Sequence, residues 1–91
     1  MTLARGERMA QYGHPIDNFR AIAAYWRTHV ERKHGIAVDF DPDDVGAMMI
    51  LLKLARDANQ PKADNLDDIS GYADCLRMTR EAEEREARAT L

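Results

Sequence analysis

Apolar residues recur at spacings of three and four through most of this chain, and no stretch alternates residue by residue as a half-buried strand would. The clearest stripe is Ile16, Phe19, Ile22, Ala23, Trp26 and Val30. It predicts a core-facing helix opening near His14-Pro15, where proline suits the first turn. That helix runs into the polar Glu31-Arg32-Lys33-His34 and ends at Gly35, which can adopt the left-handed conformation of a helix cap. A shorter helix is expected before it, over about Leu3 to Gln11, with a thin stripe weakened by Gly6. Ile36 to Phe40 is too short to assign as a strand.

Asp41-Pro42-Asp43-Asp44 marks the start of a third helix, with an N-cap, a first-turn proline and acids at the positive end of the dipole. From Val45 to Ala55 only Lys53 is strongly polar, so this helix is apolar nearly all round. Pro61 closes it, because proline disfavours helical geometry in the preceding residue. A fourth helix follows with Leu66, Ile69, Tyr72, Ala73 and Leu76 on one stripe, and its apolar face stops after Met78. Glu81 with Arg85, and Glu84 with Arg88, then stand at the spacing of helix ion pairs. The expected fold class is all-α: three to four helices in one domain over residues 1–80, with 81–91 a charged helical extension or frayed tail.

The 91 residues leave little chain to cover a helix that is apolar on every side. A homodimer or higher homo-oligomer built around the third helix is therefore expected, with a compact monomer as the alternative. Thirteen basic against sixteen acidic residues give a net charge of -3, which lacks the basic excess of a general nucleic-acid binder but leaves nucleotides open. The single cysteine, Cys75, falls inside a helical pattern, which suits packing and a reducing compartment. No apolar run approaches the ~20 residues of a membrane span and the first residues lack a signal-peptide core. A cytoplasmic location is expected.

The candidate chemistry is carried by polar groups that interrupt these stripes. Asp64-Asn65-Leu66-Asp67-Asp68 loads acids onto the opening turns of the fourth helix. Asp64 can be the N-cap with Asp67 completing a capping box, or Asp64 and Asp68, four apart, can hold a divalent cation. Lys53 and Arg56 place two cations on adjacent turns of the third helix, a pair suited to phosphate unless Lys53 reaches solvent and Arg56 pairs with a nearby acid. Antiparallel third and fourth helices would bring Lys53 and Arg56 to face Asp64 and Asp68. Asp44 lies at the far end of the third helix and would meet that site only across a dimer. Tyr12-Gly13-His14-Pro15 is a turn signal, with Asn18 one helical turn after His14. Tyr12, His14 and Asn18 offer stacking and hydrogen-bonding groups for a base or sugar, although His14 also suits a plain helix start. Trp26 reads as core.

The combination Tyr12-Gly13-His14-Pro15, Asn18-Phe19, Trp26, then Asp44-Val45, Met48-Met49, Leu52-Lys53, Ala55-Arg56, then Asp64, Asp68-Ile69 and Gly71-Tyr72-Ala73 resembles a family of small proteins of tailed bacteriophages and prophages. More distantly, the third and fourth helices resemble the all-α nucleoside triphosphate pyrophosphatases, the MazG and dimeric dUTPase group. That group carries E-E-x-x-E on one helix and E-x-x-D on the next. Asp64-Asn65-Leu66-Asp67-Asp68 stands in for the second motif, whereas Asp43-Asp44 followed by Ala47 lacks the last acid of the first. The resemblance implies a magnesium-dependent hydrolase acting on a nucleotide, with Asp68, Asp64 and Asp44 as metal ligands, Lys53 and Arg56 on phosphate, and Tyr12, His14 and Asn18 on base or sugar. The competing expectation is a non-enzymatic phage accessory protein that binds a host protein or sequesters a nucleotide.

Overall fold

The computed structural model describes residues 5–90, without the side chains of Arg8 and Tyr12. Four helices follow one another: α1 (Arg5–Tyr12), α2 (Pro15–His34), α3 (Pro42–Asn59) and α4 (Ala63–Ala89). No strand occurs among the described residues, so the all-α class holds; Leu3, the expected first residue of α1, lies outside them. Local chemistry explains most boundaries. Gly13, at φ 77°, turns the chain out of α1. His14 caps α2, its Nδ1 accepting the Ile16 N–H at 3.1 Å. Gly35, at φ 67°, ends α2 and donates its N–H to the Glu31 carbonyl. Asp41 opens α3 through a reciprocal cap: its Oδ1 accepts the Asp44 N–H at 2.9 Å, while Asp44 Oδ2 accepts the Asp41 N–H at 3.0 Å.

The start of α4 departs from expectation. Its N-cap is Lys62, which makes no side-chain capping bond, and Asp64 lies inside the first turn. The Asp64/Asp67 capping box does not form because a residue of α3 organises this start. Asp57 Oδ1 accepts both the Lys62 N–H at 3.1 Å and the Asn65 amide at 3.3 Å, tying the last turn of α3 to the first of α4. Asn65 is buried in consequence, and Leu66, expected on the core stripe, is 59 % exposed. The buried face of α4 instead continues to Met78, Thr79 and Ala82.

α3 and α4 make the most extensive packing in the molecule, α2 lies against both, and α1 attaches to α2. Ion pairs fix the direction of the hairpin. Lys53 meets Asp68 and Asp43 meets Arg80, so positions early in α3 match positions late in α4 and the two helices are antiparallel. Phe19, Ala23 and Val45 form the centre of the core, with Ile22, Trp26, Phe40, Met49, Tyr72 and Cys75 packed around them. Trp26 meets Phe40 edge to face, centroids 5.9 Å apart, and the Arg27 guanidinium donates to the Phe40 carbonyl. These contacts fasten the α2–α3 linker onto the core. Residues beyond 80 are also engaged: Ala82 is buried and Glu86 accepts from Arg20 at 2.6 Å. No helix among the described residues is long and apolar enough to cross a membrane.

Buried Gly46 marks a close approach of α3 to α4, where an added Cβ would lie 2.4 Å from Leu76 Cγ and Cδ2. Two effects compete in Gly46→Ala. Helix propensity favours alanine by about 1 kcal/mol, whereas overpacking typically costs about 1–3 kcal/mol. The clash includes the branch carbon of Leu76 and should prevail, giving a net loss of about 1 kcal/mol in urea unfolding. Repeating the substitution in a Leu76→Ala background should turn the same step stabilising. A higher unfolding midpoint for Gly46→Ala alone would be incompatible with this packing.

Candidate functional site

The α3–α4 hairpin brings the expected cation and carboxylate together at its loop end. Lys53 Nζ lies 2.8 Å from Asp68 Oδ2, with the lysine side chain only 16 % exposed and the carboxylate still 46 % exposed. Lys53 is seven residues before Gln60, Asp68 eight after it, and the short Gln60–Lys62 connection folds one helix back on the other. The lysine stem is thus covered by the hairpin while its ammonium reaches the rim. Arg56, one turn further along α3, and Asp64, on the first turn of α4, are exposed. Among the described residues neither takes part in an ion pair. Beneath them lies the Asp57–Asn65 clamp, which the sequence pattern did not reveal. Its only local signal is an acid and an amide straddling Pro61.

The other candidates lie elsewhere. Asp44 is spent on the α3 cap, and nine residues of helix separate it from Lys53, about 13 Å along the axis. Arg20 pairs with Glu86 and Asp43 with Arg80, placing the starts of α2 and α3 beside the second half of α4. Asp68 is eighteen residues before Glu86 on the same helix, about 27 Å away. His14, exposed Asn18 and the Tyr12 backbone therefore sit near the end of the molecule opposite Lys53 and Asp68; the Tyr12 side chain is outside the described residues. One chain does not gather the expected phosphate and base contacts into a single pocket.

Nor do Asp44, Asp64 and Asp68 form a magnesium cage within one chain: Asp44 is remote and Asp68 already holds an ammonium. Among the described residues, no three His, Cys, Asp or Glu side chains gather as a metal group. A shallow cleft of about 190 Å³ lies instead between α2 and the linker, lined by Arg27, Glu31, Ala37, Val38 and Asp39, none of them anticipated.

Two carboxyls at the far end carry an electrostatic signature. Hydrogen bonds from Arg80, reinforced by its charge, hold the Asp43 carboxyl below its ordinary value. Arg20 does the same for Glu86. Lowered in the folded state, both groups contribute stability that is present above the unfolded carboxylate range and lost as pH falls through the folded values. The melting temperature should therefore drop below about pH 4, and an Arg20→Gln/Arg80→Gln variant should show a shallower acid limb. Because both pairs are solvent-exposed, the difference should be a few degrees at most. Superimposable acid limbs for the two proteins would show that these pairs contribute nothing to stability.

Comparison with known proteins places this arrangement in a family. A family model described as "Domain of unknown function (DUF6378)" matches residues 1–80. The chain is 41 % identical over 75 residues to the Gene 55 protein of Mycobacterium phage L5, covering 81 % of this chain and 45 % of that protein. It is 36 % identical over 88 residues to the Gene 55 protein of Mycobacterium phage D29, covering 94 % of this chain and 54 % of that protein. The chain thus spans about half the length of the curated relatives it matches. No solved structure matches it. Neither the family nor these relatives is described as a pyrophosphatase, so the likeness of α3 and α4 to that group finds no support in them. The bacteriophage origin expected from the sequence pattern is supported by both relatives, and the match over residues 1–80 shows that the chain belongs to the family described as Domain of unknown function (DUF6378).

Proposed function

We propose that this chain is a non-catalytic, self-associating accessory module of a bacteriophage, which pairs with a second copy through the outer face of α3. The observation that carries this reading is the exposure of that face: Met48, Leu51, Leu52 and Leu54 are 41–61 % exposed on the most apolar helix of the chain. A monomer leaving such a surface in water forgoes a large hydrophobic stabilisation that association recovers. The acids support the same reading, because several have structural work. Asp43 holds Arg80, Asp44 closes the α3 cap, Asp57 clamps the hairpin loop and Asp68 neutralises Lys53. Sedimentation velocity at micromolar concentration should give a dimer, and Leu51→Lys should give a monomer with unchanged far-ultraviolet circular dichroism. A wild-type monomer throughout the concentration series would overturn the reading.

A second reading is nucleotide recognition, favoured by the meeting of Lys53 with Asp68 at an accessible rim and by Arg56 one turn away. Lys53 and Arg56 would hold phosphate oxygens, with the triphosphate pyrophosphohydrolase as its catalytic form. A thermal-shift panel of nucleoside and deoxynucleoside triphosphates, with and without magnesium, tests it through ligand-linked stabilisation. A magnesium-dependent rise in Tm lost in Asp68→Ala, with pyrophosphate released, would support the pyrophosphohydrolase. A rise without product, lost in Lys53→Ala, would support sequestration. No rise with any nucleotide would retire the site.

A further inference from the structure

The connection between α2 and α3 is anchored at both ends and unspent along its length. Phe40 is fixed by the Trp26 ring and by the Arg27 guanidinium on its carbonyl, and Asp41 follows in extended conformation, φ -115° and ψ 173°, closing the α3 cap. At the other end Gly35 donates back to Glu31. Between these anchors Ile36, Ala37, Val38 and Asp39 form no helix or turn, and among the described residues their backbone N–H and C=O groups make no hydrogen bond. A held run of unpaired backbone is what an edge strand presents to another chain. Apolar residues also recur here at every second position, Ile36, Val38 and Phe40, the period of a strand. Phe40 packs on the core, whereas Ile36 and Val38 are 56 % and 38 % exposed.

Beside this run lies the cleft of about 190 Å³ against α2, with Ala37 and Val38 as its apolar lining and Arg27, Glu31 and Asp39 as its charges. The guanidinium is already engaged by the Phe40 carbonyl and reaches Asp39 only at 4.0 Å. Glu31 takes part in no ion pair among the described residues, and the Asp39 side chain is fully exposed. Arg32 and Lys33 follow Glu31 by about 100° and 200° around α2, so they face other sides of the helix. The cleft thus has carboxylate to spare and no free cation. We infer that this segment docks an extended peptide of a partner protein, paired to the backbone of residues 36–39 as an added strand, with a lysine or arginine side chain laid along Ala37 and Val38 to reach Glu31 and Asp39. The linker of a second copy has the wrong charge for this place: it carries Asp39 and no cation, so two linkers would set carboxylate against carboxylate. Because Trp26 and Arg27 hold the segment before anything binds, docking costs little further ordering of the chain. No residue of the exposed α3 face takes part, so this docking is tested apart from self-association.

Titration of the isotope-labelled chain with the capped pentapeptide Val-Arg-Val-Arg-Val, to millimolar concentration and followed through amide chemical shifts, tests the docking. Saturable shifts are expected at Ala37, Val38 and Asp39, and the same peptide with glutamate in place of both arginines should produce none. A version methylated on every backbone nitrogen keeps its charges but cannot donate to the linker, and it should lose binding. Glu31→Gln combined with Asp39→Asn should weaken the arginine peptide about fivefold while leaving the circular dichroism spectrum unchanged. Absence of saturable shifts at these amides would overturn the docking, as would equal affinity for the glutamate or the methylated peptide, or unchanged affinity in the double variant. Shifts at the same amides on concentrating the chain alone would give the segment to a second copy and overturn it likewise.

Discussion

The approach of α3 to α4 at Gly46 is the constraint on which the rest of the molecule depends. With no side chain there, Leu76 lies against the α3 backbone, and α3 and α4 come together as a tight antiparallel hairpin. The Asp57 carboxylate sets the loop that makes the reversal possible, by holding the Lys62 amide and the Asn65 side chain. α2 then lays Phe19 and Ala23 against Val45, and the linker is drawn in behind Phe40. A hairpin so closely seated can use only one side of α3. Its other side is left to solvent or to another molecule.

That division also explains the behaviour of the charges. The stem of Lys53 is covered by the hairpin while its ammonium reaches the rim, where Asp68 supplies the carboxylate it pairs with. The guanidinium pairs of Arg20 and Arg80 lie at the other end and on the surface, where they orient α2 and α3 against α4 more than they stabilise them. Charges that look like one polar cluster along the sequence are thus distributed between the two ends of a long helix.

Much of the fold was legible because the chain punctuates its helices with residues of distinct backbone chemistry. His14-Pro15, Gly35, Asp41-Pro42 and Pro61 each act within a turn of the boundary they set, so local reasoning finds them. The start of α4 was misread for the complementary reason: Asp64 has the chemistry of a cap, but the deciding group is Asp57 in the preceding helix. Through the same contact Asn65 is buried and Leu66, expected on the core stripe, is exposed. At the candidate site, Lys53 with Asp68 followed from hairpin topology alone. The pairs of Asp43 with Arg80 and Arg20 with Glu86 join residues 37 and 66 positions apart, and depend on packing registers that periodicity does not encode. For that reason the separation of His14 and Asn18 from Lys53 was also hidden.

Trp26 is the only tryptophan of the chain, and its ring abuts Phe40 of the α2–α3 linker against the core. Its fluorescence therefore senses whether the linker is seated on α2. The molecule carries a native optical probe of its tertiary closure. Following indole emission along a denaturation series would reveal whether the linker leaves α2 before the helices themselves unfold.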